Sequence, residues 1–123
     1  MSIVMPAVVF LDDELPILTS LERTFRKEMF EVRTTALISQ ALKWSKDPNV
    51  KLLVSDYRMA EMTGLEVLRI VQKSRPELKR FILSGFADEE LIKKAVLEGA
   101  VDQYLLKPWN VDDLRARILS AIG

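Results

Sequence analysis

Residues 52–64 read LLVSDYRMAEMTG. With Val50 and Lys51 ahead of it, the apolar run is about strand length and too short for a helix. It stops at Ser55-Asp56, and a loop follows as far as Gly64. Beyond Gly64 the period changes. Leu65, Leu68 and Val71 fall on one helical face, and the helix ends before Pro76. A short apolar strand followed by an amphipathic helix is the unit, and it recurs in both directions.

Upstream, Ala7–Leu11 is an apolar strand stopped by Asp12-Asp13. Pro16 opens a helix to about Lys27, with Leu18, Leu21 and Phe25 on one face. Val32 centres a weak strand over 31–34. Thr34 and Thr35 are read as caps of a helix carrying Ile38, Ala41 and Leu42, and Asp47-Pro48-Asn49 as a turn. Downstream, Arg80–Leu83 is a strand stopped by Ser84-Gly85. Asp88 is read as the cap of a helix containing Leu91, Ile92, Ala95 and Val96, closed by Gly99. Gln103–Leu106 is the last strand, stopped by Lys107-Pro108. Asn110 caps a final helix with Val111, Leu114, Ile118 and Ile122 on one stripe. Strand and helix alternate five times, which predicts an α/β fold with a parallel sheet covered on both faces. The chain reads as a single domain over 1–123, without linker, repeat or low-complexity segment.

Composition narrows the chemistry. The chain has 123 residues, which suits one core, and 49% of them are hydrophobic, enough to fill it. Eighteen basic and eighteen acidic residues cancel, so there is no electrostatic case for nucleic acid or an anionic membrane as partner. There is no cysteine and no histidine, which excludes disulfides, thiolate metal sites, imidazole ligands and Ser–His catalysis. No apolar run approaches the roughly 18 residues of a membrane span, and the first residues read as a strand rather than a signal peptide.

The polar residues that stop the strands carry the functional signal. They are Asp12-Asp13, Ser55-Asp56, Ser84 and Lys107. A parallel sheet puts all these strand ends on one edge, where open α/β sheets bind their ligands. Three carboxylates gathered there repel one another unless a cation or protons intervene. Oxygen ligands suit Mg²⁺, and a lysine suits a phosphate oxygen. Without histidine or cysteine, Asp56 is the remaining nucleophile, and carboxylates form acyl phosphates. A single Asp after a strand is ordinarily a turn or a helix cap. Four strand ends bearing complementary groups are not accounted for that way.

These segments resemble the receiver domain of two-component response regulators. FLDDE is similar to the acidic pair after the first strand, LLVSDYRMAEMTGLEVL to the segment around the phospho-accepting aspartate, FILSGFAD to the hydroxyl switch segment and YLLKPW to the aromatic-x-x-Lys-Pro motif. The match covers Val8 to Ile122. It implies a flavodoxin-like doubly wound (βα)₅ fold with strand order 2-1-3-4-5. It also implies that Asp56 is the phosphoacceptor, and that Asp13, Asp56 and the backbone carbonyl of Arg58 ligate Mg²⁺, with Asp12 helping through water. Lys107 would hold a phosphoryl oxygen. Ser84 would move toward the phosphoryl group and Tyr104 would swing in behind it. The Lys107–Pro108 bond would be cis.

The resemblance further implies a histidine kinase or phosphotransfer protein as donor, an output domain or downstream protein as receiver of the signal, and a cytoplasmic location. It points to a homodimer through the face formed by the fourth helix, fifth strand and fifth helix, on or near which Tyr104, Lys93, Lys94 and Trp109 fall. Such a domain is a switch rather than an enzyme, with at most slow self-dephosphorylation. One position departs from the family: Ala60 follows Met59 where the pattern has proline, which loosens that loop. Arg58 reads either as a side chain over the site mouth, against Glu14 or a phosphoryl oxygen, or as a solvated loop arginine. Two other readings stand beside the switch: a small Mg²⁺-dependent aspartyl phosphatase, which would want Asp-x-Asp where Asp12-Asp13-Glu14 stands, and a receiver-like binding module that is never phosphorylated. A nucleotide-binding flavodoxin-like protein lacks a glycine-rich phosphate loop.

Overall fold

The computed structural model describes residues 4–85 and 89–123. Its elements run β1 (Ala7–Leu11), α1 (Leu15–Phe25), β2 (Glu31–Thr35), α2 (Ile38–Trp44), β3 (Val50–Asp56), α3 (Gly64–Ser74), β4 (Lys79–Ser84), α4 (Glu89–Leu97), β5 (Gln103–Leu106) and α5 (Val111–Ile122). All neighbouring strands pair parallel, in the order β2-β1-β3-β4-β5. This is the flavodoxin-like order that the family resemblance implied.

The period-2 alternation of the strands sorts the core into two layers. Val8, Phe10, Leu52, Val54, Phe81 and Leu83 point one way and pack with Leu18, Leu21 and Phe25 of α1 and Leu114 and Ile118 of α5. Val9, Leu11, Leu53 and Ile82 point the other way, against α2, α3 and α4. Most of these side chains are fully buried. Each Leu or Phe so buried contributes roughly 1.5–3 kcal/mol.

Three readings of local structure are corrected. Strands β3 and β4 do not stop before Ser55 and Ser84: β3 continues through Asp56, paired to Leu83, and β4 through Ser84, paired to Leu106. Thr34 and Thr35 do not cap α2. Both belong to β2. The residue before α2 is Leu37, whose N–H donates to Thr35 Oγ1 at 3.0 Å, while the Thr34 hydroxyl donates to Glu22. An edge strand with one apolar residue gives too little alternation to extend by pattern alone. Val111, read on the same stripe as the buried Leu114 and Ile118, is 38% exposed. The proposed cap Asp88 lies outside the described residues.

The opposite edge of the sheet is tied by two arginines. Arg80 is buried, and its guanidinium donates to the carbonyls of Pro76, Leu78, Gly99 and Ala100. Arg75 donates to the carbonyls of Ser45, Asp47 and Pro48. The loops entering β3, β4 and β5 are thereby stitched together. Gly99, at φ 83, makes the turn that closes α4.

Candidate functional site

The central strands β1 and β3 are neighbours, with Leu11 beside Ser55. Asp12 and Asp13 therefore emerge next to Asp56. Strand β5 ends two strands away, and its next residue, Lys107, reaches back across β4. The ammonium lies 2.8 Å from Asp56 Oδ1 and 3.0 Å from Asp12 Oδ2, donating to both. Asp12 is almost wholly buried, Asp56 is 7% exposed and Asp13 is exposed. The other oxygen of Asp12, Oδ1, accepts from the Glu14 N–H at 2.9 Å. The Lys107 N–H donates to the Ser84 carbonyl at 2.7 Å, which fixes the start of the lysine loop. The Lys107–Pro108 bond is cis.

Burial raises the Asp56 carboxyl above its usual range, and the charges of Asp12 and Asp13 push the same way, while the hydrogen bond from Lys107 opposes them. Lys107 is raised too. Burial works against its charge but is outweighed by its bonds to Asp56 and Asp12, so it stays an ammonium at neutral pH. One oxygen from each of Asp12, Asp13 and Asp56 lies within 4.8 Å of the others. Oxygens on opposite sides of a Mg²⁺ ion are about 4.2 Å apart. The set is all oxygen, one member faces solvent, and the spread suits direct ligation by some and water-mediated ligation by the rest. The residues present fit a hard divalent cation.

Ser84 and Tyr104 share this edge, and their hydroxyls are held by partners other than Asp12, Asp13 and Asp56. Ser84 is buried and its hydroxyl donates to the Gly85 carbonyl at 2.7 Å. Tyr104 is half-buried on the α2–α4 side, and its hydroxyl donates to Glu89 Oε1 at 3.4 Å. Arg58 is exposed in the loop after β3. Trp109 packs on its own domain, against the α1–α5 layer. It borders a groove of ≈ 500 Å³ with Ile17, Ser20, Lys107, Pro108 and Val111.

Two residues were named from sequence without a role of their own, Ser55 as part of a strand stop and Gly64 as the end of a loop. Ser55 is fully buried and donates to the Asp56 carbonyl at 2.9 Å. Gly64 packs so tightly that a Cβ there would stand 2.2 Å from the same carbonyl oxygen. The only signals for them were a serine within an apolar strand and a glycine at the close of a loop.

Residues 8–119 match the family model of the response regulator receiver domain. The chain is 35% identical over 115 residues to the hydrogenase transcriptional regulatory protein HoxA of Cupriavidus necator, covering 94% of this chain and 24% of that one. It is 32% identical over 117 residues to the photosynthetic apparatus regulatory protein RegA of Rhodovulum sulfidophilum, covering 94% of this chain and 62% of that one. The chain thus spans less than two thirds of either relative. Among solved structures, a response regulator receiver domain protein from Clostridium thermocellum superposes with a TM-score of 0.88 at 27% identity, covering 96% of this chain and 94% of that one.

Proposed function

Because this chain belongs to the response regulator receiver domain family, we propose that it accepts a phosphoryl group on Asp56 and relays that event through its α4–β5–α5 face. The observation that carries the reading is the Lys107 ammonium held between Asp56 and Asp12 at the buried ends of β3 and β1. A lysine so placed neutralises the acids before reaction and meets a phosphoryl oxygen after it. Asp56 is fixed at the end of a central strand, so its attacking oxygen is aimed rather than searching.

The donor in this reading is the phosphohistidine of a kinase or phosphotransfer protein. A carboxylate oxygen of Asp56 forms the bond to phosphorus as the phosphorus–nitrogen bond breaks, and the bond pair leaves with the imidazole. Asp12, Asp13, Asp56 and the Arg58 carbonyl would hold Mg²⁺, which when bound offsets the charge of the three carboxylates and the incoming phosphoryl oxygens. The Arg58 side chain would govern water access to the product. No turnover beyond slow loss of the phosphoryl group belongs to this reading.

The Ser84 hydroxyl, now on the Gly85 carbonyl, would turn to a phosphoryl oxygen. Tyr104 would leave Glu89 and move inward. These two displacements alter α4, β5 and α5 together, and a second copy of the chain docks on that altered face as a homodimer. Residues 1–123 act as one receiver domain, its output supplied by a partner protein or by sequence joined to it, in the cytoplasm where the donors are charged.

Intact mass after incubation with acetyl phosphate tests the reading. Wild type is expected to gain one phosphoryl mass only with Mg²⁺, and Asp56→Asn to gain none. Equal labelling of the two proteins would overturn Asp56 as acceptor.

A further inference from the structure

Ser55 is a buried hydroxyl that the reaction outlined above does not use. By strand alternation it belongs with Leu53 and Tyr57, both members of the apolar layer under α2–α4. It is fully buried there, and a buried hydroxyl needs a partner. That partner is the carbonyl of Asp56 itself, at 2.9 Å. The same peptide is held at its other end, since the Tyr57 N–H donates to the Leu83 carbonyl at 3.0 Å. The loop then returns so that the Gly64 N–H donates to the Tyr57 carbonyl at 2.8 Å. With no side chain, Gly64 settles on the Asp56 carbonyl and on Ser55 Oγ, where a Cβ would stand at 2.2 and 3.0 Å.

The Asp56–Tyr57 peptide is therefore clamped on its oxygen, its nitrogen and one face. Its orientation determines where the Asp56 carboxylate emerges and where the following Arg58 carbonyl points. Alanine would fill nearly the same volume in an apolar layer, so packing alone gives no reason for a hydroxyl at this position. We propose that Ser55 is a positioning residue for the phosphoacceptor, its hydroxyl fixing the Asp56 peptide so that the carboxylate and the loop after it are set for Mg²⁺ and phosphoryl transfer. This rests on Asp56 being the acceptor.

The test compares wild type, Ser55→Ala and Val8→Ala. Val8 is fully buried in β1 on the opposite layer, away from the acidic edge, so its truncation supplies loss of stability without touching the Asp56 peptide. For each protein one measures the half-saturating Mg²⁺ concentration by tryptophan fluorescence, the acetyl phosphate labelling rate at saturating Mg²⁺ and the melting temperature. In Ser55→Ala, Mg²⁺ affinity and labelling rate are each expected to fall roughly 10-fold, the scale of losing a residue that orients a metal ligand. Its melting temperature should be no lower than that of Val8→Ala, which should keep both site parameters within about twofold of wild type. The same clamp predicts faster amide exchange at Gly64 in Ser55→Ala without metal.

The proposal is overturned if Ser55→Ala stays within twofold of wild type in both site parameters, or if Val8→Ala loses as much as it does. Failure of wild type to take label would sink the acceptor reading instead, and the Mg²⁺ affinities would still decide whether Ser55 orients the acidic site.

Discussion

At the residue level the site is a balance of buried charges. Asp56 is raised because its ionised form is penalised by burial and by two neighbouring carboxylates. A raised folded pKa means the folded state holds the proton more firmly than the unfolded one. The penalty is thus absent below the unfolded value of about 3.9, grows as pH rises through the folded pKa and is complete above it. Asp56→Asn removes it. In EDTA at pH 7 this variant is expected to be more stable by about 1 kcal/mol, seen as a melting point a few degrees higher, with the gain vanishing near pH 4. A melting point unchanged at pH 7 would show that Lys107 already cancels the repulsion. Lys107→Met has the opposite sign. It leaves Asp12 and Asp56 without their shared ammonium and should cost about 2 kcal/mol, less than a wholly buried pair because the lysine is 21% exposed. Thermal melts in EDTA check it. The gathering of Asp12, Asp13, Asp56 and Lys107 on one edge was legible in the sequence because charged groups stop three strands of a parallel sheet, a coincidence that turns and caps do not account for. Ser55 was not, because a small hydroxyl beside an aspartate reads as part of the same strand stop.

Element by element, what was legible followed the strength of the apolar pattern. Strands β1 and β5 were read to the residue, and α1, α3 and α5 by their buried stripes. Where hydrogen bonding rather than side-chain pattern decides, the reading fell short. β3 and β4 run on through Ser55-Asp56 and Ser84 because a paired neighbour continues beside them, and parallel pairing is indifferent to the polarity of the side chain. Cap reading succeeded at one site and failed at another for a similar reason. The Asn110 side chain accepts from the Asp113 N–H at 2.9 Å, so Asn110→Ala is expected to cost about 1 kcal/mol in a denaturant melt. Thr34 is claimed by Glu22 and by the β2 ladder instead, and no helix N–H depends on it. Helix α5 also carries part of the proposed signalling face, so the Asn110 variant should lower stability while labelling of Asp56 stays at the wild-type rate.

For the molecule as a whole, the two edges of the sheet are built on different principles. The carboxyl edge concentrates groups that repel and that carry few backbone bonds, with Ser84 and Tyr104 on partners they could exchange. The opposite edge is locked, with Arg75 and Arg80 together donating to seven backbone carbonyls across three loops. In the proposed switch this asymmetry has a use. If the loop between α4 and β5 could slip, the shift of Ser84 and Tyr104 would dissipate there instead of moving the α4–β5–α5 face. Arg80 holds that loop through Gly99 and Ala100, its guanidinium donating to carbonyls rather than to a carboxylate. Its place in the fold could not be read from sequence, where it appeared as the first residue of a strand. Arg80→Met keeps the apolar stem but leaves four carbonyls without their donor. It is expected to cost about 3 kcal/mol in urea unfolding. At a temperature where the variant remains folded, Asp56 should still take its phosphoryl mass with Mg²⁺, because the acidic edge is untouched. What should change is the transmission: on phosphorylation, amide exchange across α4 and β5 should shift less in Arg80→Met than in wild type. Equal shifts in the two proteins would show that the arginine edge supports the fold without serving the switch.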